Sequence, residues 1–270
     1  MKIISICPSN TELCVYLGAD DLLIALDDYS DWPEHLQSLP KLGPDLSIRM
    51  DRLEALNPDL VLASLSVPGM EKNIMELEKR NIPHIIFNPQ SLDDIANDLI
   101  VLGEALGMKE EAEKRAGQFL ASLEEFRMAS SRIKHKPSLY WEWWPNPLFT
   151  PGGINWLTEI SRLAGAYNIF ENIELASVQV TPDDVIQHDP DYICLAWVGV
   201  PEKKVKPDLV KKRQGWGELQ AVKNNNIFIL EEPLYCRPSP RLLEGLHKLA
   251  GLLHPKEFPL LTSSKSALQE

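Results

Sequence analysis

DRLEALNPDLVLA, residues 51–63, decides the architecture. Asp51–Leu56 reads as a short helix. Asn57-Pro58 closes it, because the residue before a proline is driven out of the helical region. Leu60–Ala63 is an apolar run of buried-strand length. The same order returns at DDVIQHDPDYIC, residues 183–194, with Asp189-Pro190-Asp191 where the first copy has Asn57-Pro58-Asp59. A second pair lies upstream of each copy: TELCVYLGA (11–19) matches TEISRLAGA (158–166). Two matches in the same order indicate two lobes of similar fold.

Outward from this repeat, strands and helices alternate. Ile3–Ile6 is a first strand, and Ser9, Asn10 and Thr11 are expected to cap a helix that runs to Leu17 and stops at Gly18. Leu22–Leu26 follows as a strand, Glu71–Arg80 as a helix and His84–Phe87 as a strand. Ser91 caps a further helix that reaches Leu106 before Gly107. Such alternation gives a mostly parallel sheet covered on both faces. From Lys109 to His135 there is no proline, and Ala112, Ala116, Phe119, Leu120, Leu123 and Phe126 recur at the helical period. A helix of about 25 residues is about 38 Å long, enough to cross between lobes. Pro137 is expected to end it, and alternation resumes at Leu139. The expected division is a lobe at 1–107, a connecting helix at 108–136 and a second lobe at 137–270. A cleft between lobes is a natural ligand site, and one long helix resists wide hinge closure.

Composition narrows the function. Lys and Arg number 27 against 39 Asp and Glu, a formal charge of -12. That excludes general phosphate-backbone binding and predicts no nucleic-acid partner. Cys7, Cys14, Cys194 and Cys236 are scattered and read as small buried hydrophobes, not as a zinc site or redox pair. The apolar run Ile3–Ile6 is shorter than the roughly 7–15 residues of a secretory core, and there is no apolar segment of transmembrane length. A cytoplasmic protein is therefore expected.

Catalytic motifs are absent: there is no G-x-S-x-G, P-loop, H-E-x-x-H or G-x-G-x-x-G after a strand. None of the six histidines pair at i, i+4. No catalytic residue, metal site or cofactor is expected. The informative residues are aromatic. Tyr140-Trp141-Glu142-Trp143-Trp144 opens the second lobe, and in a strand Trp141 and Trp143 share one face while Tyr140, Glu142 and Trp144 share the other. These rings can fill a core or pack on a large flat ligand. Trp144 is the best ligand candidate of the three tryptophans, and Phe149 follows the Pro145-Asn146-Pro147 break. Two loops carry further candidates: Asp28-Tyr29-Ser30-Asp31-Trp32-Pro33 and Leu234-Tyr235-Cys236-Arg237-Pro238. Arg237, stiffened by prolines, can donate to amides or an anionic group, or cap carbonyls. Asp51 and Asp183 are equivalents in the repeat. Each is favoured by a helix dipole, and as a pair they can also dock a basic partner.

At these residues the chain resembles the class III, helical-backbone solute-binding proteins of ABC importers, which bind cobalamin or iron siderophores. The resemblance spans roughly residues 2–254 and rests on IISICPSNTEL (3–13), Tyr29-to-Pro33, LNPDLVL (56–62), NPLFTPG (146–152) and Arg237-Pro238-Ser239-Pro240-Arg241. The tyrosine loop and the last two stretches lean towards the cobalamin-binding branch. The resemblance implies an α/β fold of two Rossmann-like lobes with mostly parallel sheets joined by one long interdomain helix. It implies that Tyr29, Phe149 and Arg237 touch ligand and that Asp51 and Asp183 meet arginines on an ABC transporter permease. Two tryptophan positions of the cobalamin cleft fall on Asp45 and Ser177, so a large aromatic contact is missing unless Trp32, Trp144 or Trp197 substitutes.

The function expected is a monomeric binding protein for cobalamin or a related corrinoid, held as ligand and not as a catalytic cofactor. Its ligand-contacting set is Tyr29, Trp32, Trp144, Phe149, Trp197, Tyr235 and Arg237. The alternative within the class is an iron-siderophore or haem binder. The alternative outside it is an enzyme or metal-cofactor protein on the same two-lobed fold.

Overall fold

A computed structural model describes residues 1–258. The chain forms two compact units. The first holds Met1–Pro89, Asp93–Leu120 and Pro238–Pro240; the second holds Gln90–Leu92, Ala121–Arg237 and the residues from Arg241.

In the first unit, strands β1 (Ile3–Ser5), β2 (Leu23–Leu26), β3 (Leu60–Ser64) and β4 (His84–Phe87) form one sheet in the order β2-β1-β3-β4. Every pairing is parallel. Helices α1 (Pro8–Leu17), α2 (Met50–Ala55), α3 (Glu71–Lys79) and α4 (Leu92–Leu106) connect and cover it. Ile4, Val61 and Ala63 of the strands pack with Leu53, Ile74 and Leu77 of the helices in one apolar core. Burying a residue such as Leu77 fully is worth about 1.5–3 kcal/mol.

Helix α5 (Lys109–Ser130) passes from one unit to the other between Leu120 and Ala121. Its 22 residues span about 33 Å, shorter than the sequence suggested. It stops at Ser130, well before Pro137. Ser130 and Ser131 turn their hydroxyls onto the carbonyls of Arg127 and Met128, and such back-bonding competes with the helical ladder.

The second unit repeats the first. Strands β5 (Ser138–Glu142), β8 (Tyr167–Asn168), β10 (Tyr192–Leu195) and β11 (Ile227–Ile229) pair in parallel in the order β8-β5-β10-β11. Taken in order of appearance, both sheets run second-first-third-fourth. Helices α6 (Trp156–Leu163) and α7 (Pro182–His188) stand where α1 and α2 stand in the first unit, and α8 (Pro207–Lys211), α9 (Gln220–Lys223), α10 (Glu232–Tyr235) and α11 (Leu242–Leu253) complete it. The repeat extends to backbone detail. Gly18 and Gly165 close α1 and α6 at φ 77° and 78°, and Asn57 and Asp189 turn the chain out of α2 and α7 at φ 47° and 41°. Glycine, asparagine and aspartate are the residues that tolerate this left-handed region.

The second unit also carries a small antiparallel sheet absent from the sequence reading: β6 (Trp144–Pro145), β7 (Leu148–Pro151) and β9 (Ser177–Val180), in that order. One further correction concerns α1. It begins at Pro8 with Cys7 as its cap residue and no side-chain cap. Proline is preorganised for the first helical position. Asn10 instead donates to the Ala63 carbonyl, and Thr11 donates to the Ser5 hydroxyl.

Candidate functional site

In parallel α/β sheets, ligands bind beyond the carboxyl ends of the strands. In the first unit the carboxyl end of β2 leads into Asp27–Trp32. Asp27 is fully buried and organises this loop. Its Oδ1 accepts from the Tyr29 and Ser30 amides at 2.7 and 3.0 Å, and its Oδ2 accepts from the Ser30 hydroxyl. Ser30 Oγ meets Thr11 Oγ1 at 2.7 Å, which in turn donates to Ser5. Lys41 and Gln37 hold the Ser30 carbonyl at 2.6 and 2.9 Å. Burial pushes the Asp27 carboxyl up to about 6, and its hydrogen bonds to Ser30 and Tyr29 only partly offset this. The loop backbone is thus fixed from below while the Tyr29 side of it stays 50% exposed. Trp32, joined to Pro33 by a cis bond, is half-buried beside it.

In the second unit the carboxyl end of β5 runs straight into the small sheet. Trp143 donates its amide to the Phe149 carbonyl, and the cis Asn146-Pro147 bond turns the chain back. Trp144 then lies directly opposite Phe149 in an antiparallel pair. Opposed residues share a face with Cβ atoms about 4.5–5.5 Å apart. Trp144 is 44% exposed and Phe149 half-buried, and the Trp144 ring is anchored by its Nε1–H on the Asn146 carbonyl. Exposed aromatic side chains fixed in this way form a platform for a flat apolar surface.

At the end of β5, two residues before Trp144, sits a polar strut that the sequence did not disclose. Glu142, the last residue of β5, is wholly buried. Both its oxygens accept from the Arg213 guanidinium, one at 2.9 Å. It also accepts from Trp197 Nε1 at 3.1 Å and Tyr140 Oη at 3.2 Å. Arg213 stacks on Trp216 with its guanidinium carbon 4.5 Å from the ring. A charged residue inside a buried strand requires such a partner, and that requirement was the only sequence signal for it.

The predicted contact residues therefore divide. Tyr29, Trp32, Trp144 and Phe149 present side-chain surface. Trp197 lies in the core of the second unit with its indole on Glu142. Tyr235 is fully enclosed, against Trp141 and with its hydroxyl on the Gly245 carbonyl. Trp141 is likewise core, bonded to Ser161, and Trp143 meets Trp156 at 6.3 Å between centroids. Arg237 is nearly buried and donates to Glu232 at 3.2 Å, while Cys236 beside it reaches the Ala196 carbonyl at the end of β10.

Asp51 and Asp183 are each the second residue of their helix. The Asp51 side chain is 91% exposed and pairs with Arg80 at 2.8 Å, together with Glu54 and Glu76. Asp183 is exposed and takes no part in the capping box, which Thr181 and Asp184 form. Among the described residues there is no group of three or more His, Cys, Asp or Glu placed to hold a metal.

A family model, that of the periplasmic binding proteins, matches residues 3–234. The chain belongs to this family. Its relatives include YvrC of Bacillus subtilis, an uncharacterized ABC transporter substrate-binding lipoprotein, 28% identical over 95% of this chain and 81% of the relative. They also include the vitamin B12-binding protein of Vibrio parahaemolyticus, 27% identical over 91% of this chain and 86% of the relative. Among solved structures, the periplasmic vitamin B12-binding protein of Vibrio cholerae superposes with a TM-score of 0.76 at 24% identity, covering 93% of this chain and 96% of that one. The haem complex of IsdE from S. aureus gives 0.82 at 18% identity, covering 94% and 98%.

These findings make the protein a solute-binding protein of the ABC-importer type and bear out the α/β fold. They overturn the expected cytoplasmic location, since the family and its relatives are periplasmic proteins or lipoproteins. The physical error is plain: Ile3–Ser5 is the buried central strand β1, and a strand of the folded domain carries no information about export.

Proposed function

We propose that this protein binds cobalamin or a related corrinoid outside the cytoplasmic membrane and presents it to the permease of an ABC importer. The observation that carries the reading is the Trp144–Phe149 pair, held at the carboxyl end of β5 with its rings partly exposed. Tyr29 and Trp32, at the carboxyl end of β2, offer a second aromatic surface, and Arg237, paired with Glu232, a guanidinium. Relatives named vitamin B12-binding proteins support this ligand over the others. The protein acts as a monomeric carrier, by shape and aromatic packing, and catalyses no reaction. Asp51 and Asp183 dock arginines of the permease.

Tryptophan fluorescence tests the placement. Cyanocobalamin quenches the wild type on saturable binding, and Trp144→Phe removes a large share of the quenching while retaining binding. Full quenching in Trp144→Phe, with affinity unchanged in Phe149→Ala, contradicts the placement.

A further inference from the structure

The small sheet of β6, β7 and β9 has one face in the core, and its other face exposes Trp144, Ser177 and Gln179 with Phe149 half-buried among them. Leu148, Val178 and Val180 belong to the core. The register defines the other face: Trp144 opposes Phe149, Phe149 opposes Gln179, and Pro151 opposes Ser177. Gln179 therefore stands in one row with Phe149 and Trp144, and Ser177 one step along the same strand on the same side. Both are exposed, and neither side chain makes a hydrogen bond or ion pair among the described residues. Every side chain that the register brings to this face is uncharged, in a chain where 24% of residues are charged.

We infer that Gln179, with Ser177 beside it, reads carboxamide groups on the rim of a ligand whose flat face lies on Trp144 and Phe149. The inference rests on the corrinoid reading and adds its specificity determinant. A glutamine amide both donates and accepts, so it meets a ligand carboxamide with two complementary bonds. Against a carboxylate, only its NH2 is useful, and its carbonyl oxygen faces negative charge. Gln179 thus favours an amide-fringed macrocycle over a carboxylate-fringed one such as a porphyrin dipropionate. Ser177, a small exposed side chain one step along the strand, leaves the rim accessible.

The test compares wild type, Gln179→Leu and Gln179→Asn by calorimetry with cyanocobalamin, dicyanocobinamide, cyanocobalamin monocarboxylic acids and hemin. The side chain is exposed, so the variants fold, and a melting curve checks this. Gln179→Leu is expected to weaken cyanocobalamin and dicyanocobinamide about tenfold, the effect of losing a hydrogen-bonding partner to a buried polar group. Hemin affinity stays within about twofold. At least one monocarboxylic acid binds wild type about tenfold more weakly than its parent, and that gap closes in Gln179→Leu. If wild type binds cyanocobalamin and Gln179→Leu binds it equally well, the inference is overturned while the corrinoid reading stands. If wild type binds no corrinoid, both are overturned.

Discussion

Asp27→Asn is expected to stabilise the protein at neutral pH, against the usual direction for a buried hydrogen-bonded acid. An aspartate in the unfolded chain titrates near 3.9, and burial raises Asp27 to about 6 in the fold. Between those values the native state binds more protons than the unfolded state. The free energy of unfolding therefore falls as pH rises through this window. A shift of about two units corresponds to about 3 kcal/mol, present as a penalty above pH 6 and absent below pH 4. Asparagine is neutral throughout and can keep every bond. Its Oδ1 accepts from the Tyr29 and Ser30 amides, as Asp27 Oδ1 does. Its Nδ2 donates to Ser30 Oγ, which then donates to Thr11, and Thr11 to Ser5. Urea unfolding at pH 7.5 and at pH 4 isolates the effect as a difference between variant and wild type. The variant should gain about 1–3 kcal/mol at pH 7.5 and about zero at pH 4. A variant destabilised by more than about 1 kcal/mol at pH 7.5 would refute the reasoning. It would mean that charge-assisted bonds to the carboxylate outweigh its burial.

Two further outcomes follow from the second unit and from the thiols. Glu142→Ala leaves the partly buried Arg213 without its carboxylate, and urea unfolding should show a loss of about 2–4 kcal/mol; a loss below about 1 kcal/mol contradicts the strut. Burial raises Cys7 to about 11 and Cys14 to about 12, and raises Cys194 and Cys236 as well. Ellman's reagent at pH 8 should label none of the buried Cys7, Cys14 and Cys194 in the native protein within seconds and all four cysteines after unfolding, since the thiolate is the reactive form. Fast native labelling of Cys7, Cys14 or Cys194 contradicts that burial.

The two-unit α/β plan was legible because its turns are chemically constrained. Asn57-Pro58 and Asp189-Pro190 mark the same left-handed exit from a helix, and Gly18 and Gly165 the same helix stop. The central strands read as apolar runs because parallel strands are buried on both faces. The small antiparallel sheet was not legible, since Trp144–Pro145 is only two residues long and one of the two is a proline. Yet Ser177–Val180 alternates exposed and buried, the period-two signal that marks a strand with one wet face. The aromatic run 140–144 misled in part. Its strand ends at Glu142, so Trp143 and Trp144 do not continue the alternation from Tyr140. Tyr235 looked like a loop residue and lies instead in a short buried helix. The Glu142–Arg213 pair spans 71 positions, a separation at which no local pattern connects two residues.

The central claim is corrinoid binding, and a calorimetric titration of the purified protein with cyanocobalamin, with hemin in parallel, tests it most directly. The account predicts saturable one-to-one binding of cyanocobalamin at about micromolar affinity or tighter, weakened at least tenfold in Tyr29→Ala and Phe149→Ala, and weaker binding of hemin. No heat and no saturation with cyanocobalamin or dicyanocobinamide, or tighter binding of hemin than of either, would contradict it.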